Sequence, residues 1–577
     1  MKMKNRAFVF GVVGVVAAWG SCREPMTFCN PLDLDYGFRN ELGFHEGADP
    51  VCLTYKGDYY LFASKSGGYW WSPDFVCWRK VSPPNLPLAN YAPTAMEYRG
   101  ELYFTASGAG IFKSSRPKDE DSWELVNAQK SNVDPALFAD DDGRVFLYAG
   151  CAAGKRRGAP TVIELDPANQ FKRIGAAAEC VRPLESERGW EVRGNTNQGH
   201  GLDRSDKEPW IEGSWMNKHG GKYYYQYAAP GTEFDTYGDG VCVSRSPMGP
   251  FVYEPYSPFS FKPTGFIPGA GHGATFQDKH QRLWHVATGV IRGVERRVVL
   301  FPARIDAAGR LFAETAFGDL PQYLPGKNPS PGKGNLVGWM ELGCGKPVSA
   351  SSEHSGARLA RCAFDTSIRS WWQPKGSDSN AWIGVDLGAI KRVCAIQVHF
   401  AETEEVRRST NSLPQDFVQK YRVDCSDDGV HWVTRVDQSQ NPKDRMNAYH
   451  ELENPVATRH LRLINCGTKS GYFAVAGLRV FGTGEGTPPA PASNVRVIRG
   501  KADRRHVTVE WEGGAGAKGA VVRYGVAADA MFTPFEIRGQ TRLDIYSLNA
   551  GAPYWFTVDT FNENGITRMR ADPVFVE

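Results

Sequence analysis

Three acidic residues and one histidine in the N-terminal half of the chain could carry out acid–base chemistry together. They are Asp49, Asp134, Glu212 and His272. A carboxylic acid that protonates a departing oxygen, paired with a carboxylate that activates water, cleaves a glycosidic bond. A third acid nearby raises the pKa of its neighbour by like-charge repulsion, which keeps a proton donor protonated near neutrality. The residue types indicate hydrolysis of a sugar linkage, provided that the fold gathers residues so far apart in sequence.

The element that must position them is a repeated strand–turn–strand unit. Each copy opens with a polar residue, continues as an apolar strand, turns at Gly or a polar pair, and returns as an aromatic strand. The five copies are headed by Asp49, Tyr91, Asp134, the segment around Glu212, and Gly271. Radial repetition of short strands predicts a five-bladed β-propeller, in which the innermost strand of each blade starts near the central channel. The three acids and His272 are then expected around one pocket.

The copy around Glu212 is the best defined. An apolar run over 210–216, a Gly220-Gly221 turn and a run of tyrosines over 222–227 predict a hairpin. The apolar neighbours of Glu212 favour a protonated acid, whereas Asp49 is expected to be better hydrated and ionised. Taken alone, Glu212 is equally compatible with a solvated position at a strand edge.

Composition and the N-terminus limit the class of protein. The chain of 577 residues is longer than a single core usually supports, and its formal net charge of +3 argues against a nucleic-acid partner. Basic residues precede an apolar run over 7–18, which predicts a signal peptide over 1–21 and export to the periplasm, the outer membrane or the medium. Cleavage after Gly20 and lipid anchoring at Cys22 both remain open.

Tryptophans offer flat faces against which sugar rings pack. Trp70, Trp71 and Trp190 are candidates for substrate binding, and each is equally compatible with core packing. Trp190 belongs to an insertion over 180–209, between the third and fourth copies. Long excursions on a rigid scaffold often carry binding residues, so this segment is expected to shape the pocket rim, with a solvated cover loop as the alternative.

Residues 31–323 resemble glycoside hydrolase family 43. That family places an Asp in blade one, an Asp in blade three and a Glu in blade four, and Asp49 in Ala-Asp-Pro, Asp134 in Val-Asp-Pro and Glu212 in Ile-Glu-Gly match this order. The resemblance implies a catalytic propeller over 30–325. It implies that Asp49 is the general base, Asp134 the acid that tunes the pKa and orients the donor, and Glu212 the general acid of an inverting reaction.

Two further site residues come from the same resemblance. The segment 271–273 is similar to the blade-five Gly-His segment, whose histidine binds calcium or water. His272 is therefore expected to contact substrate and to lie near a structural Ca²⁺, with no cofactor required for the reaction. Arg296 matches a substrate-contacting arginine, although the glycine usual in that motif is missing.

Two more β-domains are expected after a linker rich in Pro, Gly and Lys. Residues 336–482 resemble discoidin, or factor 5/8 type C, domains, which include carbohydrate-binding modules of family 32; Trp382, the 385–388 segment and the 426–429 segment carry the likeness. This predicts a jelly-roll β-sandwich. After a second linker over 483–493, residues 494–577 resemble a fibronectin type III domain, with Leu548 and Tyr554 placed as in a tyrosine corner.

The sequence as a whole predicts an all-β, secreted or surface-anchored inverting glycoside hydrolase. The resemblance implies action on plant cell-wall side chains, as an arabinofuranosidase or xylosidase, with glycans that contain arabinose, xylose or galactose as partners. Two alternatives stay open. The propeller could be a catalytically inactive sugar-binding protein, or the chain could be an adhesion protein in which the discoidin-like domain does the work.

Overall fold

The computed structural model describes residues 25–39, 42–131, 133–153, 158–199, 209–354, 356–376, 380–408, 418–468 and 471–577. The predicted signal peptide, Cys22 and part of the insertion over 180–209 lie outside these ranges. The regular secondary structure of the described chain is almost entirely β-strand, and its one α-helix is Glu404–Arg408. Within the described ranges, no helix has the length and apolar character needed to cross a membrane.

Five antiparallel sheets follow one another between residues 48 and 313, and each is called a blade here. The strands are, in blade 1, Ala48–Tyr55, Asp58–Ser64, Tyr69–Ser72 and Arg79–Val81; in blade 2, Thr94–Tyr98, Glu101–Thr105, Ile111–Ser114 and Glu124–Asn127; in blade 3, Ala136–Ala139, Val145–Ala149, Thr161–Asp166 and Lys172–Glu179; in blade 4, Trp210–His219, Lys222–Ala229, Gly238–Ser244 and Val252–Tyr253, with Ala152–Ala153 added to the first; and in blade 5, Gly271–Gln277, Leu283–Arg292, Glu295–Ile305 and Leu311–Ala313.

The first strand of each blade contacts the first strands of the two adjacent blades, and blade 5 contacts blade 1. The ring of inner strands is therefore closed, as the five-fold repeat predicts. Outside the blades, Thr27–Phe28 pairs with Gln322–Tyr323, and Gly37–Arg39 pairs with Phe44–Glu46.

The hairpin predicted around Glu212 is present as the first two strands of blade 4. Its turn residues Gly220 and Gly221 both have positive φ, 57° and 74°, which the tight hairpin turn requires and which glycine adopts without steric cost. Tyr225 and Tyr227 on the return strand are fully buried, because their rings pack against Tyr148 of blade 3 and Trp190 of the insertion.

A shared backbone feature marks the start of all five inner strands. At each start one residue has a left-handed conformation, with φ of 49° at Asp49, 47° at Ala92, 52° at Asp134, 63° at Gly213 and 44° at His272. Asp, His and Gly are among the residue types that adopt this region most readily. Each non-glycine case costs about 1–2 kcal/mol, and such strain is typical of functional sites that the surrounding fold holds in place.

The second domain is a sheet of seven strands folded over its own apolar core. Its strands are Met340–Glu341, Val348–Ala350, Trp382–Phe400, Tyr421–Ser426, Val433–Gln438, Asn447–Asn465 and Val475–Thr483. The two long strands are interrupted by register shifts, for example between Asp386 and Lys391. Irregularities of this kind bend strands, and here they allow one continuous sheet to wrap around a core.

The third domain consists of two sheets that face each other. One contains Ser493–Arg499, Val507–Glu512 and Arg542–Ile545, and the other contains Thr533–Ile537, Gly519–Gly525, Tyr554–Asn562, Gly565–Thr567 and Val574–Val576. The hydroxyl of Tyr554 accepts a hydrogen bond of 2.9 Å from the backbone N–H of Asn549, which is the contact expected of a tyrosine corner. A β-sandwich is therefore present, and its membership of the fibronectin type III family stays a prediction.

Candidate active site

Asp49 is a buried and ionised carboxylate. Its Oδ2 accepts a 2.5 Å hydrogen bond from the Ser64 hydroxyl, and its Oδ1 lies 3.4 Å from Nη1 of Arg296 and 3.3 Å from Nδ1 of His272. Burial raises the pKa of Asp49, but the positive charges of Arg296 and His272 and the bond from Ser64 outweigh it, so that the net pKa is lowered. The backbone N–H donates to the Thr288 hydroxyl at 2.8 Å. Asp49 is thus held ready to accept a proton.

Asp134 is equally buried, but its pKa is shifted in the opposite direction. The Gly213 N–H donates to its Oδ2 at 3.2 Å, and its own backbone N–H donates to the Ser107 hydroxyl at 2.9 Å. Burial, together with the negative charges of Glu212 and Asp49, raises the pKa of Asp134 to about 7, although His272 opposes the shift. Near neutral pH this carboxyl therefore retains a proton for much of the time.

Glu212 faces the same pocket and is not a solvated residue at a strand edge. A carboxyl oxygen of Glu212, a carboxyl oxygen of Asp134 and a ring nitrogen of His272 all lie within 4.8 Å of one another. Oε1 of Glu212 accepts a hydrogen bond of 2.6 Å from the Tyr237 hydroxyl, and Oε2 accepts one of 2.5 Å from the Trp210 indole N–H. These two contacts hold the carboxyl group in a single orientation.

His272 lies at the centre of the group. Burial lowers the pKa of His272, but the negative charges of Asp49, Asp134 and Glu212 more than offset this and raise it. The backbone N–H groups of His272 and its successor donate to the Asp239 carboxylate at 2.7 and 2.9 Å, which fixes the start of the blade 5 strand. A Cβ at Gly213 would come within 2.8 Å of the His272 ring, so only glycine leaves room for the imidazole there.

The donor set around His272 does not fit direct binding of calcium. Ca²⁺ takes six to eight oxygen ligands, whereas His272, Glu212 and Asp134 supply one imidazole and two carboxyl groups. Both oxygens of Glu212 already accept hydrogen bonds. An ion near His272 would have to be held largely through water.

Arg296, another of the predicted substrate contacts, lies beside Asp49. It is 4% exposed, and its guanidinium also contacts Glu46 and, at 3.0 Å, the Thr232 hydroxyl. Arg296 therefore lies in the group of residues around Asp49, and its contact with substrate stays a prediction. Its direct neighbour is the carboxylate of Asp49.

Trp70 and Trp190 are core residues and do not form the predicted platforms, whereas the platform at Trp71 stays a prediction. Trp70 is 1% exposed and packs edge-on against Tyr36 in the core. Trp71 lies on the third strand of blade 1, and its ring is covered by Lys118 at 4.4 Å. Trp190 is fully buried and donates its indole N–H to the Tyr253 hydroxyl at 3.0 Å. The rings of Trp70 and Trp190 are enclosed by protein, so they cannot stack on a sugar.

The first part of the insertion over 180–209 packs against the third domain, and its role as a pocket rim stays a prediction. Its backbone forms hydrogen bonds with the third domain. The Ala550 N–H donates to the Glu187 carbonyl at 2.7 Å, and the Gly189 N–H donates to the Leu548 carbonyl at 2.9 Å. Further along, Arg193 pairs with Glu233 at 2.7 Å. Residues 200–208 of the insertion lie outside the described part of the chain.

Sequence reasoning did not identify Tyr91, Tyr237 or Trp210 as site residues. Tyr91 is 44% exposed, and its ring lies 5.9 Å from the Arg296 guanidinium and 4.2 Å from Nζ of Lys65. Because Tyr91 heads the blade 2 copy of the repeat, its place in the pattern was a usable signal. No sequence pattern indicates the hydrogen bonds from Tyr237 and Trp210 to Glu212, since they depend on the direction of the side chains.

The raised pKa of Asp134 leads to a prediction about stability. The folded state binds the Asp134 proton more tightly than the unfolded state does, so this group stabilises the fold at low pH and its contribution is lost as pH rises from 3.8 to about 7. We expect Asp134→Asn to raise the melting temperature at about pH 8 and to have much less effect at about pH 5. Differential scanning calorimetry across this pH range measures the difference in melting temperature between the variant and the wild type.

Asp140 in the same blade is a control, because its pKa is shifted in the opposite direction. Burial raises the pKa of Asp140, but hydrogen bonds from Lys218 and Tyr223 outweigh it, and the pKa is lowered. The stability that Asp140 contributes is present above its unfolded pKa and is lost as pH falls. Asp140→Asn should therefore destabilise the protein at about pH 8. Equal melting curves for the wild type and Asp134→Asn at alkaline pH would show that Asp134 is not a strained buried acid.

Comparison with known proteins agrees with this geometry. Residues 38–309 match the family model described as Glycosyl hydrolases family 43, and residues 347–477 match the F5/8 type C domain. The chain is 27% identical to the beta-D-galactofuranosidase xynD of Aspergillus niger, over 36% of this chain and 64% of that protein. It is 32% identical to an arabinoxylan arabinofuranohydrolase of Paenibacillus polymyxa, over 44% of this chain and 47% of that protein.

Neuropilin-1a of Danio rerio is 28% identical over 23% of this chain and 15% of that protein. Among solved structures, a thermostable family-43 glycoside hydrolase has a TM-score of 0.41 at 21% identity, over 53% of this chain and 98% of that one. The chain spans between about half and two thirds of the length of the two glycosidases above. Residues 38–309 are therefore similar to glycosyl hydrolases of family 43, and residues 347–477 are similar to F5/8 type C domains.

Proposed function

We propose that the protein is an inverting glycoside hydrolase in which Asp49 is the general base, Glu212 the general acid and Asp134 the modulator of the donor. The observation that carries this proposal is the convergence of Asp49, Asp134 and Glu212 on His272 from three different blades. The pKa of one aspartate is lowered and that of the other is raised. Pairs of titratable groups whose environments push their pKa values apart are typical of acid–base sites.

In the proposed reaction Asp49 removes a proton from water as the water attacks the anomeric carbon. Its ionised form is maintained by Arg296 and His272. Glu212 gives a proton to the departing oxygen, and Tyr237 and Trp210 keep its carboxyl group aimed at that oxygen. Asp134 keeps a proton in this part of the pocket near neutral pH. An inverting route leaves room for one water between base and sugar, and we expect the Asp49 and Glu212 carboxyls about 6.5–9.5 Å apart.

We propose plant cell-wall glycans as substrates, with terminal arabinofuranose, xylose or galactose residues as the sugars released. Relatives described as an arabinoxylan arabinofuranohydrolase, a beta-xylosidase and a beta-D-galactofuranosidase support this class. The test is a panel of aryl arabinofuranosides, xylosides and galactofuranosides, followed by defined arabinoxylan oligosaccharides. Proton NMR during the first minutes identifies the anomer that is released.

The outcomes of this panel are distinct. Release of the inverted anomer supports the proposal, and release of the retained anomer overturns the single-displacement mechanism. Absence of hydrolysis on every substrate, with glycan binding retained, would favour the sugar-binding alternative. Glycan binding that survives removal of residues 30–325 would favour the adhesion alternative.

Two further proposals concern calcium and export. A calcium ion near His272, held largely through water, is tested by activity after exhaustive chelation and after calcium is added back. Export through residues 1–21, with or without a lipid on Cys22, is tested by mass spectrometry of the mature N-terminus from an expressing cell.

Tyr91 is proposed as the aromatic residue that contacts the sugar at the pocket mouth, because it is exposed beside Arg296. Loss of a ring contact is worth about 0.5–1.5 kcal/mol, so we expect Tyr91→Ala to raise KM by about 2- to 10-fold with kcat little changed. Steady-state kinetics measure this. Tyr91→Phe keeps the ring and should stay near wild type, and an unchanged KM in the alanine variant would remove Tyr91 from the site.

A further inference from the structure

Two neighbouring segments form a wall between the candidate active site and the second domain. They are the strand Phe44–Glu46 and the start of the strand Glu295–Ile305. The Gly47 N–H donates to the Arg296 carbonyl at 3.3 Å, and Nη1 of Arg297 donates to the His45 carbonyl at 2.6 Å. Successive side chains of a strand point to opposite sides. The contacts below place Glu46 and Arg296 on the pocket side of the wall and His45 and Arg297 on the other.

On the pocket side, Arg296 connects the wall to the proposed base. Nε of Arg296 donates to Oε1 of Glu46 at 3.2 Å, and its Nη1 lies 3.4 Å from Oδ1 of Asp49. Glu46 is fully buried and Arg296 is 4% exposed. A shift of the strand that carries Arg296 would therefore move the guanidinium relative to the Asp49 carboxylate.

On the other side, a carboxylate from the second domain reaches into the wall. Oε1 of Glu402 lies 2.6 Å from Nδ1 of His45, accepts a 2.7 Å hydrogen bond from the His45 backbone N–H, and lies 3.5 Å from Nη2 of Arg297. Nε2 of His45 lies 2.6 Å from Oδ2 of Asp444, which is also in the second domain. The side chains of His45, Arg297 and Glu402 are each at most 1% exposed.

Glu402 is the carboxylate of the second domain that contacts both His45 and Arg297. The propeller's own acid at this place, Glu295, lies 3.6 Å from Arg297. Burial and the charge of Glu402 raise the pKa of Glu295, although Arg297 and Arg407, which pairs with Glu295, oppose the shift, so Glu295 is the weaker counter-charge. His45, by contrast, is protonated, because the charges of Asp444 and Glu402 outweigh its burial and raise its pKa to about 9. Removing one partner from a buried charge cluster leaves the others uncompensated.

We propose that Glu402 of the F5/8 type C domain is a positioning residue for the active site of the propeller. By holding His45 and Arg297 on one side of the wall, it keeps Arg296 against Asp49 on the other. The second domain is then part of the hydrolytic machinery, independently of any glycan that it binds. This inference rests on the proposed function for its kinetic readout, but its structural claim does not.

The test is Glu402→Gln in the full chain, which keeps the shape of the side chain and removes its charge. A small misplacement of a reacting group costs about 10²-fold, so we expect kcat to fall by about 10- to 100-fold with KM within about twofold. Glu402→Asp restores the charge and should recover part of kcat. The matched control is Glu404→Gln, two residues away on the surface, where the lost contact is a pair with Arg358 at 3.0 Å.

Two further measurements keep the outcomes separate. Melting temperatures show whether Glu402→Gln folds; if it does not, Asp444→Asn removes the second, less buried partner of His45 and should give a smaller fall in kcat. A crystal structure of the folded variant is expected to show Arg296 withdrawn from Asp49. Wild-type kcat in a folded Glu402→Gln protein, with the Arg296–Asp49 contact intact, overturns the inference. If the wild type hydrolyses nothing, the proposed function fails, and the crystal structure alone decides the positioning role.

Discussion

Asp49→Asn is expected to reduce kcat for every glycoside that the protein cleaves by about 10²–10⁴-fold, with little change in KM. Asparagine fills the same space and can still accept the Ser64 hydrogen bond, but it cannot remove a proton from water. Arg296 and His272 hold Asp49 in its ionised form, so the loss should persist across the neutral pH range. Steady-state kinetics on an aryl glycoside and on an oligosaccharide measure it.

The matched control for Asp49 is Asp58→Asn, at the far end of the same hairpin. Asp58 pairs with Lys118 at 2.6 Å on the surface, and its substitution should leave kcat at the wild-type value. If Asp49→Asn retained full activity while folding normally, the assignment of the base would be wrong, and another group would have to activate water.

Glu212→Gln is expected to separate substrates by their leaving groups. Glutamine cannot donate the proton that an unactivated sugar oxygen needs, so hydrolysis of oligosaccharides should fall by about 10²–10⁴-fold. A nitrophenyl glycoside releases nitrophenolate, which leaves without being protonated, so its rate of hydrolysis should fall far less. The ratio of the two losses is the readout, because a substitution that only disturbs folding or binding would affect both substrates alike.

Glu233→Gln is the control in the same blade, since Glu233 follows Thr232, which accepts a hydrogen bond from Arg296, but itself pairs with Arg193 at 2.7 Å. It should show no dependence on leaving group. Equal losses for both substrates in Glu212→Gln would assign Glu212 to binding or orientation, and the donor would then have to be sought at Asp134.

Much of the fold followed from local pattern. The Gly220-Gly221 turn and the tyrosine strand beyond it predicted the blade 4 hairpin, because turn chemistry and β-propensity act over a few residues. The repeat of this unit predicted the ring of inner strands. The types of residue at the strand starts were informative too, since Asp and His suit the left-handed backbone that the structure has at Asp49, Asp134 and His272.

The tryptophans and the partners of Glu212 did not follow from pattern. Trp70 and Trp190 are buried, but a tryptophan in a strand or an insertion has the same local sequence signature whether its ring meets a sugar or the core. The bonds from Tyr237 and Trp210 to Glu212 depend on side-chain rotamers. Both cases are decided by packing between segments far apart in the chain, which periodicity does not report.

The amino-acid sequence by itself determined the repeated unit, the order of the acids along it, and hence that three carboxyl groups would meet at the strand starts. Only the tertiary structure decided which of the two aspartates holds a proton, because burial and neighbouring charges lower the pKa of Asp49 and raise that of Asp134. It also decided that Glu402, more than a hundred residues beyond Arg297, supplies the counter-charge for the wall beside Asp49. Long-range electrostatics and desolvation depend on distances in space, and the linear sequence does not contain them.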